Sequence, residues 1–273
     1  ATTTDGALGF TEANASQLVR LDRTRGAGET VLDCARTGIG VSEKAACLKA
    51  VEEDRDIGHI TARPVLDEND PMRTTQITRM NNNRWAVVMG NGYNSANQRP
   101  VLLVQYLDGA QELVRIPVTT ETAGTGKAAD NGLSAPRLVD IDGDGRPDVI
   151  YAGDNLGNLW KFDVTSINDS NWNVAFRGQP LFTAKGPTAL NSSARTNVQP
   201  ITVAPTVRTN DRTMTIGTGT NAKTVPVTGM MIAFGTGRNV TQDDPNSVQV
   251  QSLYSVLDNT RYRIIDTAKG KRL

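Results

Sequence analysis

The nine residues DIDGDGRPD, at positions 140 to 148, place four carboxylates close together in the chain. They occupy positions 1, 3, 5 and 9 of a calcium-binding loop, with Gly145 at position 6, where any side chain would obstruct the sharp turn. Four converging carboxylates repel one another unless a cation neutralises them or some of them take up protons. Calcium fits better than magnesium because a flexible loop of five or more oxygens suits its large, tolerant coordination shell. The predicted ligands are the side chains of Asp140, Asp142, Asp144 and Asp148 and the backbone carbonyl of Arg146.

The loop differs from an EF-hand in two respects. Position 12 is Tyr151, where an EF-hand has a bidentate Glu, and the flanking segments 134–139 and 148–153 have the character of strands rather than helices. Asp148 must therefore complete the coordination shell. A solvated acidic turn without a metal is the alternative. Asp154 and Asp163 are interpreted as turn and surface residues.

The overall composition limits the classes of function. The 273 residues include 29 Lys plus Arg and 29 Asp plus Glu, so no global field attracts nucleic acid or an anionic membrane surface. No stretch approaches the roughly 18 apolar residues of a membrane span, and the N-terminus does not resemble a signal peptide. The chain is interpreted as a fragment or a processed product.

One helix and one pair of cysteines stand out near the N-terminus. Residues 41–56, VSEKAACLKAVEEDRD, are predicted to be helical, and Cys47 lies on this helix. A disulfide between Cys34 and Cys47 is expected in an oxidising compartment, with two unpaired thiols as the alternative. Residues 1–60 are interpreted as a decorating region that carries this helix.

From about residue 64 the sequence repeats one pattern three times: an apolar strand ending in Gly, a polar turn, and a second strand ending near Asp. The repeated hairpins begin at RWAVVMG, DVIYAG and MMIAFG, and Ala-Pro precedes a further strand in two cases. In the second hairpin, Trp160 and Phe162 alternate with Lys161 and Asp163, the pattern of a half-buried strand.

Such repeats predict an all-β fold in which residues 61–273 form blades of a β-propeller, with Trp85 and Trp160 in the core between blades. A propeller has 4 to 8 blades and only about four fit in this chain, so it is expected to cover part of a larger ring. Irregular spacing of the repeats keeps a β-sandwich as an alternative.

Taken together, these motifs resemble a known family. GLSAPRLVDIDGDGRPDVIYAGDNLGNLWKFDV, WAVVMGNGYNS and QPITVAPTV with MMIAFGTGRNV are similar to blades of the PilY/PilC-type biogenesis and tip-adhesin proteins of type IV pili. The resemblance runs through about residues 74 to 260. It implies a modified, seven-bladed C-terminal propeller with calcium at the loop described above.

The resemblance also implies a location and a role. Members of the family are exported and act at the pilus tip, the cell surface or the outer membrane, where they support pilus assembly, extension and retraction, adhesion and twitching. The implied partners are pilins or minor pilins and a host surface, with no nucleic acid and no membrane span. No Arg-Gly-Asp tripeptide occurs in the chain, so the sequence gives no basis for inferring host-cell binding.

Two other functions remain open on the residues alone. A quinoprotein-like propeller dehydrogenase would need a base and quinone-stacking residues beside the metal, whereas the predicted ligands belong to one hairpin. An integrin-like or carbohydrate-binding propeller would use the calcium for stability alone, but several calcium loops are expected there and one occurs. The sequence therefore favours a non-enzymatic calcium module.

Overall fold

In this computed structural model, the described residues are 21, 34–67, 70, 72 and 74–262, together with the backbone of 265–267 and 270–272. The chain divides into two compact units, Ala1–Val51 and Glu52–Leu273. No helix in the described ranges has the length and apolar character needed to cross a membrane.

Strands dominate the described part of the chain. In chain order they are β1 (Ile77–Arg79), β2 (Trp85–Gly90), β3 (Val101–Tyr106), β4 (Leu113–Pro117), β5 (Arg137–Val139), β6 (Val149–Gly153), β7 (Asn158–Asp163), β8 (Asn173–Val174), β9 (Phe182–Thr183), β10 (Lys185–Pro187), β11 (Arg195–Val198), β12 (Thr206–Thr209), β13 (Thr213–Ile216), β14 (Lys223–Pro226), β15 (Met230–Gly235), β16 (Leu253–Asp258), β17 (Ile265–Thr267) and β18 (Gly270–Arg272). The helix of the described residues is α1 (Val41–Asp56), with 3-10 turns at Asp169–Asn171, Gly219–Asn221 and Asp244–Asn246. Ala175–Gly178 forms a turn in which Phe176 and Arg177 have left-handed φ of 54° and 57°.

Helix α1 covers the residues that the sequence predicts to be helical, and a disulfide joins Cys34 to Cys47. At its C-terminal end, the fully buried Asp56 accepts hydrogen bonds from Arg115 of β4 and from Arg99, which lies just before β3. Burial alone would raise the pKa of Asp56, but the hydrogen bonds from Arg99, Asn97 and Arg115 hold it below its ordinary value. These charged contacts fix the last turn of the helix to the sheet.

Three antiparallel sheets of three or more strands follow one another in the described part of the chain, and the remaining strands pair two by two. The first has the order β1-β2-β3-β4, the second β5-β6-β7 with β8 and β9 both paired to β7, and the third β12-β15-β16. The hairpins β2–β3, β6–β7 and β15–β16 are the three that the sequence repeat predicts. Strands β5 and β12 begin directly after their Ala-Pro pairs, where a missing N–H is tolerated. The hairpin β13–β14 lies between β12 and β15 and accounts for part of the irregular spacing.

The second sheet is buried on both faces. Ile150, Trp160 and Phe162 belong to one apolar cluster with residues of the first sheet such as Leu102 and Val104. The alternate residues of the second sheet, among them Val149, Tyr151 and Leu159, belong to another cluster with Ile232 and Phe234 of the third sheet. Face-to-face stacking of successive sheets is the arrangement of propeller blades.

The glycines that end β2 and β6 allow this close stacking. A Cβ on Gly90 would lie 2.0 Å from the carbonyl oxygen of Ser134, and one on Gly153 would lie 2.2 Å from the side chain of Ile201. In both cases the obstructing residue belongs to the segment that leads into the next sheet. The Gly of the repeat is therefore a packing requirement at these two positions.

The expectation of a half-buried strand is wrong for β7. Lys161 is only 2% exposed because the third sheet covers the face that the alternation assigns to solvent. Trp160 is fully buried between sheets as predicted, but Trp85 is 47% exposed, which corrects its assignment to the core. Trp85 begins β2 on the face opposite the buried Ala86 and Val88.

The buried Lys161 is paired across two sheets. Its Nζ lies 2.5 Å from Oδ2 of Asp258, which also accepts a hydrogen bond from the hydroxyl of Tyr151 at 2.6 Å. Burial alone would raise the pKa of Asp258, but the hydrogen bonds from Lys161, Thr260 and Tyr151 hold it below its ordinary value. The ion pair thus fixes the register of the second sheet against the third.

Removing the ammonium should be costly because it leaves a buried carboxylate without its counter-ion. We expect Lys161→Met to lower the free energy of unfolding by about 3–5 kcal/mol, measured by urea denaturation. The double variant Lys161→Met/Asp258→Asn should recover part of this loss. As a control, Arg208→Gln removes an ion pair whose side chains are 80% and 76% exposed, and it should change stability by less than about 1 kcal/mol. Equal effects of the two single substitutions would contradict the assigned role of Lys161.

Candidate metal centre

The acidic loop connects two paired strands of the central sheet. Strands β5 and β6 pair with Val139 opposite Val149, so residues 140–148 form the loop of this hairpin. The backbone N–H of Asp148 donates to the carbonyl of Val139 at 2.8 Å and closes the base of the loop. Ile141 packs against the apolar cluster between the second and third sheets. The loop is therefore held by the sheet at its base and by one apolar contact.

Three of the four predicted carboxylates converge. One oxygen from each of Asp140, Asp142 and Asp148 lies within 4.8 Å of the other two. Asp140 is exposed, Asp142 is half-buried and Asp148 is buried. The group is thus open to solvent on one side and closed by protein on the other, and it could hold a metal ion.

Backbone amides of the loop organise these oxygens. The two carboxylate oxygens of Asp140 accept hydrogen bonds from the N–H groups of Gly143 and Gly145, each at 2.7 Å. Gly143 and Gly145 have φ of 78° and 85°, a left-handed conformation that favours glycine. The turn role predicted for Gly145 agrees with this geometry. These two amides hold both carboxylate oxygens of Asp140 in place within the loop.

Asp148 is the electrostatically strained member of the group. Burial, with a further contribution from the nearby charges of Asp142 and Asp140, raises the pKa of Asp148 to about 6, although the N–H of Ile141 opposes the shift by donating at 2.7 Å. A carboxylate in this environment gains from a cation, which compensates the desolvation and the repulsion together.

Asp144 and Arg146 are placed differently from the converging three. The Oδ1 of Asp144 accepts a hydrogen bond from the Arg146 N–H at 2.9 Å, and its Oδ2 lies 3.7 Å from the Arg146 guanidinium. Asp144 is not part of the converging group. Its role as a ligand, and that of the Arg146 carbonyl, stay predictions.

Two nearby residues have roles that sequence reasoning missed or misassigned. The side-chain amide of Asn81, in the β1–β2 turn, donates to the carbonyls of Pro147 and Val164 at 2.9 Å and ties the first sheet to the end of the loop. No local signal reveals this contact because 66 residues separate Asn81 from Pro147.

Asp154 is not the surface residue that its place in a turn suggests. It is fully buried and accepts hydrogen bonds from the side chains of Asn131, Asn158 and Trp160 and from the backbone of Leu156 and Asn158. It organises the turn between β6 and β7, at the end of β6 remote from the acidic loop. Asp163 is half-buried, and its carboxylate accepts hydrogen bonds from Thr165.

Comparison with known proteins gives consistent similarities. The family model described as the PilY1 beta-propeller domain matches residues 23–271. The chain is 32% identical over 227 residues to the type IV pilus biogenesis factor PilY1 of Pseudomonas aeruginosa PAO1, and 30% identical over 217 residues to a PilY1 homolog of Xylella fastidiosa Temecula1. Each alignment covers 76% of this chain but only 16% and 12% of those relatives.

A solved structure supports the same assignment. The crystal structure of the Pseudomonas aeruginosa PilY1 C-terminal domain matches with a TM-score of 0.54 and 30% identity, over 77% of this chain and 39% of that chain. The all-β propeller fold predicted from the repeats is confirmed, and a sandwich is excluded. The resemblance found in the sequence motifs is confirmed as well: this chain belongs to the PilY1 β-propeller family.

Proposed function

We propose that this chain is a calcium-binding propeller module of a type IV pilus biogenesis protein. The carboxylates of Asp140, Asp142, Asp144 and Asp148 and the carbonyl of Arg146 are the proposed ligands. The convergence of three carboxylates in one hairpin loop is the observation that carries the proposal.

Calcium suits this loop better than magnesium. The proposed set supplies five protein oxygens, whereas magnesium keeps several waters and demands a strict octahedron. Asp144 would join the set by turning its carboxylate away from Arg146, which requires side-chain rotation in an exposed part of the loop. The raised pKa of Asp148 supports a cation because its charge is otherwise poorly compensated.

Membership of the family supports a role for this module in a pilus protein. The relatives are named type IV pilus biogenesis factors, which favours a non-enzymatic role over a quinoprotein dehydrogenase. In the proposed role the module is exported and works at the pilus tip, the cell surface or the outer membrane, with pilins or minor pilins as partners. It supports pilus assembly, control of extension and retraction, and adhesion. Residues 1–60 are the proposed decorating region and 61–273 the blades.

Loss of one ligand should weaken calcium binding. We expect Asp142→Ala and Asp144→Ala each to lower calcium affinity more than about tenfold, because affinity in such loops depends on ligand charge, measured by calorimetric titration of the 273-residue chain. Calcium at about 100 times its Kd should raise wild-type stability by about 2.7 kcal/mol over the chelated protein, and the variants should lose this gain.

The matched control is Asp211→Ala, an exposed carboxylate outside the loop. It should bind calcium like the wild type. Normal affinity in Asp144→Ala alone would remove Asp144 from the ligand set, and normal affinity in Asp142→Ala as well would refute the site.

Calcium binding should also depend on pH through Asp148. Without metal, the pKa of Asp148 is raised from 3.8 to about 6, so calcium must displace a proton from Asp148 below about pH 6. The apparent affinity for calcium should therefore fall up to about tenfold for each pH unit below that value. In chelator, the effect of pH on stability is the reverse of that for a carboxylate whose pKa falls on folding. Because the folded state binds the Asp148 proton more tightly than the unfolded state, this proton stabilises the fold below pH 3.8, and the stabilisation is lost as pH rises to about 6. Melting curves from pH 4 to 7 in chelator should show the loss in wild type and not in Asp148→Asn.

The cellular role is tested with the full-length protein. Asp142→Ala should reduce surface pili and twitching if calcium controls extension, while Asp211→Ala should leave both unchanged. Normal pili with a calcium-free loop would restrict the metal to stabilising the fold.

A further inference from the structure

A second set of polar residues lies at the end of β6 remote from the metal loop. Two adjoining depressions of about 420 and 330 Å³ share Asp130 in their walls. We call them together the polar groove, defined by Asn94, Ser95, Gln98, Asp130, Asn155 and Arg238. None of these residues belongs to the loop at 140–148.

The groove is built by loops of three successive sheets. Ser95 follows β2, Asn155 follows β6 and Arg238 follows β15, while Asp130 lies in the connection from β4 to β5. The side-chain amide of Asn155 donates to the carbonyl of Asp130 at 2.8 Å, and Arg238 lies 3.7 Å from the Asp130 carboxylate. The groove therefore runs between blades and is complete within the described residues.

Two residues that line the groove each have one buried side-chain atom without a hydrogen-bond partner. The hydroxyl of Ser95, a residue 3% exposed, and Oδ1 of Asn155, a residue 6% exposed, are both unsatisfied. The hydroxyl of Tyr93, two residues before Ser95, is a third unsatisfied atom in the same loop. Leaving a buried polar group unpaired costs about 1–3 kcal/mol, so such groups are normally satisfied by water or by a ligand.

The backbone around the groove is strained. Asn94, Gln98 and Asp130 have φ of 59°, 48° and 50°, in the left-handed region that costs non-glycine residues energy. A hydrogen bond from the N–H of Asp130 to Oε1 of Gln98, at 3.1 Å, holds two of them together. Strain of this kind persists where the surroundings fix the side chains in position, and it clusters at binding sites.

The chemistry of the lining selects the ligand. Arg238 is already paired with Asp244 at 2.9 Å and faces Asp130, so the groove holds no unpaired cation for an anionic ligand. Amide and hydroxyl groups provide both donors and acceptors, and the Asp130 carboxylate accepts no hydrogen bond among the described residues. Leu156 and Pro200 add a small apolar surface. This combination matches a neutral molecule with many hydroxyl groups and exposed C–H faces.

We propose that the polar groove binds a neutral saccharide, with Asp130 and Asn155 accepting hydrogen bonds from its hydroxyl groups and Ser95 hydrogen-bonded to a further oxygen. The proposal is independent of calcium, because the metal loop lies at the other end of β6. It adds a ligand site to the proposed pilus module.

The test uses saturation-transfer difference NMR on the 273-residue chain with the methyl glycosides of glucose, galactose, mannose and N-acetylglucosamine as probes. At least one probe should give transfer with a millimolar Kd. Asp130→Asn and Ser95→Ala should each weaken that binding, Asp130→Asn by about tenfold, as loss of a charge-assisted hydrogen bond predicts. Asn is tolerated at left-handed φ, and the Ser95 hydroxyl makes no bond in the fold, so both variants should fold.

Asp211→Asn is the matched control for the loss of charge, and wild-type protein with and without excess chelator separates the groove from the metal loop. The control variant and the chelated protein should both bind the probe like the untreated wild type. Absence of transfer from all four probes would show that the groove holds only water and would overturn the proposal. Equal binding by wild type and both groove variants would overturn it too, as would binding of inorganic phosphate in place of the glycosides.

Discussion

Burial of the second sheet on both faces is the constraint on which the rest of this molecule depends. Trp160 and Phe162 pack toward the first sheet, and Tyr151 and Leu159 pack toward the third. Since neither face is left to solvent, any polar residue in the sheet must find a partner inside the protein. This explains why Lys161 is paired with Asp258, and why the glycines that end β2 and β6 leave no space for a Cβ.

The electrostatics of the metal loop follow from the same burial. Asp148 immediately precedes β6, so the stacking of the sheets removes its carboxylate from water, while Asp140 stays at the surface. A loop of identical sequence on a solvated hairpin would keep the mutual repulsion of its carboxylates but lose the desolvation that contributes most to the raised pKa of Asp148, so its requirement for a cation would be weaker. In this family member the loop sequence provides the oxygen ligands, and the surrounding blade buries the Asp148 carboxylate, so that its negative charge is unfavourable without a cation.

Local sequence patterns correctly predicted the structural features that depend on residues close together in the chain. The three hairpins, helix α1 and the glycine turn of the acidic loop each follow from a pattern within one continuous segment of the chain. Contacts between blades could not be predicted this way. Lys161 and Asp258 are 97 residues apart, and Asn81 reaches Pro147 across 66, so alternation alone misassigned Lys161 to solvent. The exposure of Trp85 has the same origin, because it depends on which sheet lies beside β2.

Strand β6 separates two chemically different ends of the central blade. Asp148 precedes the strand and belongs to an acidic group that favours a cation, whereas Asp154 follows it and is buried in a network of neutral amide and indole donors. Five residues of extended chain span about 17 Å between the two ends, so the acidic group and Asp154 are not in direct contact. A structural effect of the metal on the polar groove would therefore pass through the packing of the second sheet against its neighbours, where Lys161 and Asp258 form a polar contact between sheets.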